Sequence, residues 1–261
     1  MTTRLRPAPA RHPLRTAAAV VCAVLGLGLI GGAVTGSWLT GDSTAHTAAR
    51  TPYTEARAFW HSAPVDTLFP RTLKGEEAGP GGADRVWTRV AVAPDGTCAT
   101  ALDPHLVTTL QPVGCARALR ATYTDATASH VTTVGMVFAE ADATAMRALG
   151  SRFATEGLTE RTDLMPRAFP ATGTVAARFG DPQRASWTVK VLTDVPVVVY
   201  AVSGFADGRT VVDPQPAEKA RGKGATSAPA QAGLGHEAEG LADGVESTLR
   251  ASLGAALEPP E

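Results

Sequence analysis

The chain has 261 residues with 24 basic and 25 acidic side chains, so its formal net charge is −1. Four of the arginines lie within residues 1–15, which contain no acid, so the rest of the chain holds 20 basic and 25 acidic residues. This mildly acidic balance argues against a nucleic-acid partner, because neutralising phosphates requires clustered lysines and arginines. The length allows one or two domains.

The segment that follows these arginines predicts a membrane-spanning helix. Residues 16–41 carry no charge, and the apolar stretch 17–34 would extend about 27 Å as a helix, close to the hydrocarbon thickness of a bilayer. Basic residues favour the cytoplasmic side of such a span. We therefore expect residues 1–15 to be a cytoplasmic Arg-rich tail, residues 16–38 to be a transmembrane helix, and the remainder to be outside the cell.

A cleaved signal peptide is the alternative to a membrane anchor. The apolar region of a signal peptide is usually only about 7–15 residues long and ends at a small-residue cleavage site. Ser43-Thr44-Ala45 fits such a site, and cleavage there would start a secreted chain at His46. Both alternatives place the bulk of the chain outside the cytoplasm.

Three glycines in the same segment predict contact between two membrane helices. Gly28, Gly32 and Gly36 lie four residues apart, on one face of a helix. Small residues at this spacing allow two helices to approach closely in a bilayer. The expected partners of the N-terminal region are therefore the membrane and a second copy of the chain in a homodimer.

After the span, the sequence predicts a tether over residues 39–52 and one domain over residues 53–257. Helical spacing of apolar residues predicts a helix at 53–62 and another at 142–153 that ends at Gly157. Alternating or continuous apolar runs between Pro, Asp and Gly turns predict strands. The predicted strands are 86–92, 97–101, 117–124, 130–138, 174–179, 186–192 and 197–202.

The C-terminal part predicts a mobile loop and then a second main helix. Residues 213–235 are rich in Pro, Ala, Gly and Lys, and such a segment buries too little apolar surface to offset the entropy of ordering it. Leucine and valine then recur every four residues, which indicates a helix over residues 236–254. Grouped strands followed by helices are typical of an α+β fold. We expect a mainly antiparallel sheet with two main helices.

Two cysteines lie outside the predicted span, and they are expected to form a disulfide. An even pair, Cys98 and Cys115, in an oxidising environment favours such a bond. The alternative is a pair of buried free thiols. The sequence has no Cys-x-x-Cys motif, which argues against a redox centre and against a cysteine-based zinc site.

The sequence carries no familiar catalytic motif. The His-Glu-x-x-His zinc motif, the Gly-x-Ser-x-Gly elbow and the phosphate-binding loop are absent, so no catalytic residue, metal or cofactor is assigned. Polar residues near strand ends are candidates for a binding surface, since sites collect on loops there. The candidates are Arg120, Tyr123 and Asp125 in one cluster and Asp207 and Arg209 in another. The alternative is that these residues only shape turns.

Residues 120–126 and 204–209, together with the Arg-rich tail, the Gly/Ala-rich span and the cysteine pair, resemble an uncharacterised single-pass membrane protein of Streptomyces-type actinobacteria. The resemblance implies a source and brings no known activity. The expected function is that of a non-enzymatic outer domain that binds or organises a ligand or protein at the cell envelope. The alternative is an extracytoplasmic hydrolase with scattered catalytic residues, using His105 or His130 with a nearby aspartate.

Overall fold

A computed structural model of the chain describes residues 52–94 and 96–257. The predicted tail, the predicted membrane helix with its three glycines, and nearly all of the predicted tether lie outside the described residues. Within the described part, no helix is both long and apolar enough to cross a membrane. The described residues belong to one compact unit, residues 50–261.

The described strands form a single seven-stranded sheet with the order β1-β2-β3-β4-β6-β5-β7. The strands are β1 (Thr72–Gly75), β2 (Arg85–Val92), β3 (Arg117–Asp125), β4 (His130–Phe138), β5 (Ser186–Val191), β6 (Val197–Phe205) and β7 (Gln215–Pro216). Neighbouring strands are antiparallel except β5 and β7, which pair in parallel. The structure therefore confirms the α+β class and the mainly antiparallel sheet.

Helices cover this sheet. The α-helices among the described residues are α1 (Pro52–Ser62), α2 (Val65–Leu68), α3 (Cys98–Ala101), α4 (Pro104–Leu110), α5 (Ala143–Thr155), α6 (Ala217–Ala220), α7 (Ala228–Gln231) and α8 (Leu234–Leu257). The helices predicted at 53–62, 142–153 and 236–254 correspond to α1, α5 and α8. The Asp142 carboxylate begins α5 by accepting backbone N–H groups, and Gly157, with a φ of 61°, follows its end in the left-handed conformation that glycine adopts readily.

Both faces of the sheet are buried, and the two sides differ in what covers them. On one side α8 packs its apolar stripe, including Leu241 and Val245, against the strands together with α1 and α2. On the other side α3, α4 and α5 share the cover with the irregular segment 156–185, whose Leu164 and Phe179 are buried. We call the first side the helical face and the second the mixed face.

Two of the predicted strands are wrong. Residues 97–101 contain the short helix α3, in which Cys98 and Ala101 lie three residues apart and are both buried on the mixed face. Residues 174–179 form successive tight turns in which backbone N–H groups bond to carbonyls three residues earlier. Ala176 and Phe179, three residues apart, thereby pack into the same core on the mixed face, whereas in a strand they would point to opposite faces.

The segment 213–235 is not a loop without secondary structure, so that prediction needs correction. It contains β7, which pairs with β5, and the short helices α6 and α7. Ala217, Ala220 and Pro229 are buried, whereas Arg221 to Gly224 are exposed. Small side chains allow this segment to pack closely against β5 and α8, and composition alone does not reveal that.

The predicted cysteine pair lies at disulfide distance. Cys98 begins α3 and Cys115 precedes β3, and their Cα atoms are 6.4 Å apart. Such a bond ties the excursion formed by α3 and α4 to the first residues of β3, at the edge of the mixed face.

Candidate functional site

The first predicted polar cluster is divided between the two faces of the sheet. Tyr123 is fully buried on the helical face, where its hydroxyl donates to the Pro70 carbonyl oxygen at 2.8 Å. Arg120 lies on the mixed face, with its guanidinium 5.4 Å from the centre of the Phe169 ring. Residues at odd and even positions of a strand point to opposite faces, so these two side chains do not meet.

The third member of that cluster, Asp125, closes the turn between β3 and β4. Its carboxylate accepts the backbone N–H of His130 at 2.7 Å and both the N–H and the hydroxyl of Thr127. Burial alone raises the pKa of Asp125, but the hydrogen bonds from Thr127 and His130 outweigh it, so the pKa lies below its usual value. All the contacts of this carboxylate described here shape the turn.

The second predicted cluster lies on an open cavity of about 550 Å³. The cavity is found at the end of the sheet where β4 begins and β6 ends, and we call it the β4–β6 cavity. It is lined by Ala128, Ser129, His130, Val175, Phe205, Ala206, Asp207 and Arg209. Strand pairing accounts for this grouping, because His130 is opposite Phe205 in the β4–β6 register.

The rim of the cavity carries a charge-balanced pair stacked on an aromatic ring. Asp207 accepts from the backbone N–H of Arg209 at 3.0 Å and from its Nε at 2.8 Å. The hydrogen bonds from Arg209 lower the pKa of Asp207, and the Arg209 guanidinium lies 4.4 Å from the centre of the Phe205 ring. The cationic plane therefore covers an aromatic surface, while its charge is matched by the adjacent carboxylate.

His130 forms the inner wall of the cavity. Its ring meets Phe205 edge-on, with centroids 5.9 Å apart, and its side chain is 17% exposed. The ring atom Nδ1 lies 3.9 Å from Oε1 of Glu237, a carboxylate near the start of α8. The imidazole thus stands between the cavity and a carboxylate that lies behind it.

Glu237 is the functional-site candidate that the sequence analysis missed. Its side chain is only 1% exposed, its Oε2 accepts from Trp87 Nε1 at 2.5 Å, and its Oε1 lies 3.2 Å from Nε of Arg85. A buried carboxylate is costly unless it is paired, and here both oxygens face cationic or N–H groups. The sequence pattern could have revealed it, since Glu237 lies four residues before Leu241 and eight before Val245, on the apolar face of the predicted helix.

The histidines proposed for the hydrolase alternative have different surroundings. His105 is exposed on α4, where its backbone N–H donates to Asp103. His130 lines the cavity, but no described hydroxyl is hydrogen-bonded to its ring, and the hydroxyl of the nearby Ser129 lies 3.0 Å from the Thr127 hydroxyl. Over residues 52–94 and 96–257, no group of three or more His, Cys, Asp or Glu side chains could hold a metal ion.

Comparison of the chain with protein-family models, with curated protein sequences and with solved structures found no match in any of the three. The resemblance to actinobacterial membrane proteins therefore stays a prediction. The β4–β6 cavity and the buried carboxylate behind it are the features from which we infer a function.

Proposed function

We propose that residues 53–257 are a non-enzymatic binding domain, held at the outer surface of the cell membrane by residues 16–38. The β4–β6 cavity is its binding site. The cavity is the single observation that carries the proposal, because it brings His130, Asp207 and Arg209 together around one recess of about 550 Å³, a volume typical of ligand pockets. Its wall combines the apolar side chains of Val175 and Phe205 with the polar groups of His130 and Arg209.

The cavity is built on a rigid base, which favours binding. β4 and β6 are the paired central strands, and nearly every residue in them is buried. At the end of β6, a Cβ added to Gly204 would lie 2.3 Å from the Gln183 carbonyl oxygen, so the neighbouring segment packs directly against the strand. A preformed site needs little ordering when a ligand binds.

A cavity-blocking substitution tests the proposal. Full-length protein in lipid nanodiscs is screened by ligand-observed NMR against a set of small aromatic and aliphatic fragments. Val175→Trp fills the mouth of the cavity and should abolish the saturation-transfer signals of the fragments that bind. Val212→Trp is the matched control, because Val212 is 98% exposed and does not line the cavity. Equal signals in the two variants would contradict the assignment of the site.

The membrane location has its own test. A reporter that is active only outside the cytoplasm should work when fused after Glu261 and fail when fused before Thr16. Membrane-associated protein should keep its original N-terminus. A mature chain that starts near His46 would show instead that the N-terminal segment is a cleaved signal peptide.

A hydrolase is the second candidate, and one observation favours it. His130 stands between the cavity and the Glu237 carboxylate, an order found in catalytic sites where a carboxylate orients a histidine. A hydrolase would also require a nucleophile within hydrogen-bond reach of the ring. We expect no hydrolysis of p-nitrophenyl acetate by the wild type above that of His130→Gln. Turnover that depends on His130 would favour the hydrolase.

A further inference from the structure

We propose that a second cavity, which lies beside Cys98 and Cys115, binds an uncharged aromatic compound. The cavity has a volume of about 320 Å³ and is enclosed by α3, α4 and the residues that lead into β3, at the edge of the mixed face. We call it the cysteine cavity. It shares no lining residue with the β4–β6 cavity, so this inference goes beyond the proposed function and does not depend on it.

Apolar side chains form most of the wall of the cysteine cavity. Leu102 and Leu110 are at most 2% exposed, and Val107 of α4 is partly buried. Water in contact with such side chains is released when an apolar ligand covers them, and this release is the main source of affinity in sites of this kind. The ligand therefore needs an apolar body.

The electrostatics of the cysteine cavity favour an uncharged ligand. None of the described residues that line it carries a charge. The exposed Glu140 carboxylate lies close to Gly114 in the lining and would repel an anion. A cation would lose much of its hydration in an apolar recess, and an exposed carboxylate offsets little of that loss because solvent screens it.

The sulfur atoms of the cysteine pair favour an aromatic ring over an aliphatic group. Both Cys98 and Cys115 line the cavity, so a bound ligand lies against them. Divalent sulfur is polarisable and makes favourable contacts with aromatic rings, often at the ring edge. A saturated ring of the same size would keep the apolar contacts and lose this preference.

Size and polar groups limit the ligand further. An apolar cavity of about 150 Å³ is enough for benzene, so one of about 320 Å³ has room for a single ring with a short substituent. Thr108 and Gln111 supply polar groups to the lining. The Thr108 hydroxyl donates to the Pro104 carbonyl oxygen at 2.9 Å and can still accept a hydrogen bond. A ring that carries a hydroxyl group, as in benzyl alcohol, satisfies these requirements.

Benzyl alcohol and cyclohexylmethanol form a matched pair of probes, since they differ only in the ring, and benzoate tests the exclusion of charge. Full-length protein in lipid nanodiscs, labelled at leucine and valine methyl groups, is titrated by NMR against the free probe concentration in the aqueous phase. Saturable shifts of the Leu102, Val107 and Leu110 methyl signals report binding in the cysteine cavity. We expect benzyl alcohol to bind about threefold more tightly than cyclohexylmethanol. It should bind at least about tenfold more tightly than benzoate.

Two substitutions in α4 locate the site. Val107→Trp fills the cavity and should abolish the shifts that benzyl alcohol causes in the Leu102 and Leu110 methyl signals. His105→Trp is the matched control, because it places the same side chain at an exposed position of the same helix that does not line the cavity. Methyl signals from the helical face, such as that of Val245, should stay in place in both variants and so show that the fold is kept.

The possible results contradict the proposal in different ways. Equal affinities for benzyl alcohol and cyclohexylmethanol, or equally tight binding of benzoate, would show that the ligand class is wrong. Shifts that persist in Val107→Trp, or no shift in the wild type, would show that the cysteine cavity is not the site. If Val107→Trp disturbs the fold, the wild-type titrations still decide, because the shifted methyl groups identify the site. Val175→Trp, which blocks the β4–β6 cavity, should leave these titrations unchanged.

Discussion

The helical face and the mixed face of the same sheet are covered by very different kinds of chain. α8 contributes 24 continuous residues to the helical face, and its buried side chains recur with helical spacing. The mixed face is assembled from α3, α4, α5 and a segment with little regular structure between α5 and β5. A continuous helix is stabilised by its own hydrogen bonds, whereas the irregular cover depends on contacts with the strands.

The buried polar groups follow the same division. On the mixed face the hydroxyls of Thr122 and Thr133 bond to the carbonyl and the N–H of Phe169, at 2.8 and 2.9 Å, and so hold an irregular backbone against the sheet. On the helical face the buried polar groups include the Glu237 carboxylate, which needs Arg85 and Trp87 as partners. The regular face therefore has the more vulnerable polar contact, because an unpaired charge costs more than an unpaired hydroxyl.

Glu237→Ala on the helical face should give the largest effect. It leaves the Trp87 N–H without its buried acceptor and Arg85 without its ion-pair partner, and we expect a loss of about 3–5 kcal/mol in the free energy of unfolding. Urea unfolding measures this loss. Glu246→Ala, which removes a partner of Arg250 nearer the surface of the same helix, should cost less than about 1 kcal/mol. Equal losses would mean that the buried Glu237 contributes no more to stability than a carboxylate near the surface.

On the mixed face, the largest effect should come from the cysteine pair. Replacing both Cys98 and Cys115 by serine should lower the free energy of unfolding by about 3 kcal/mol, because the closed loop restricts the unfolded chain. Reduction of the wild type should cause a similar loss and should not affect the double variant. Mass spectrometry should find neither cysteine alkylated before reduction. Full labelling of both in the native protein would disprove the bond.

Replacing two glycines of α8 by alanine should change the free energy of unfolding in opposite directions. A Cβ at Gly240 would lie 2.8 Å from the Trp87 ring, so Gly240→Ala should lose about 1–2 kcal/mol despite the better helix propensity of alanine. At Gly244 the nearest atom is a Leu73 methyl at 3.7 Å, so Gly244→Ala should gain up to about 1 kcal/mol. Thermal unfolding of both variants provides the measurement. Changes of the same sign would show that α8 packs less closely on β2 than described.

The smallest effect on stability should come from local opening of the segment between α6 and α7. Lys219, Arg221 and Lys223 are exposed next to the turn between α6 and α7. We expect trypsin to cut first at one of these three, with the fragment containing α8 staying bound to the rest of the domain. The free energy of unfolding should change little before further cuts accumulate. A first cut at Arg147 or Arg152 of α5 would show that the mixed face opens before this turn.

The sequence predicted the parts of the fold whose conformation follows from local spacing. The alternation in 117–124 and 186–192, and the apolar run 197–202, correspond to strands β3, β5 and β6. The failures lie on the mixed face and in the segment 213–235. There, short pieces of chain take their conformation from what they pack against, and their own residue pattern suits more than one structure.

The candidate site was predictable only in part, for the same reason. Asp207 and Arg209 follow a buried strand, and this position marked them as candidates. Arg120 and Tyr123 were grouped by proximity along the chain, although a strand sends them to opposite faces. Glu237 was hidden inside a helix whose other stripe residues are apolar.

The sequence by itself determined which residues share a face of each strand or helix, because side-chain direction repeats with the period of the backbone. It also determined which cysteines were able to pair and where charge is concentrated. Only the tertiary structure decided that β4 and β6 lie side by side, which places His130 against Phe205. It also decided that Trp87 meets Glu237, 150 residues further along the chain. Contacts of this kind depend on the order of strands in the sheet, and local spacing carries no record of that order.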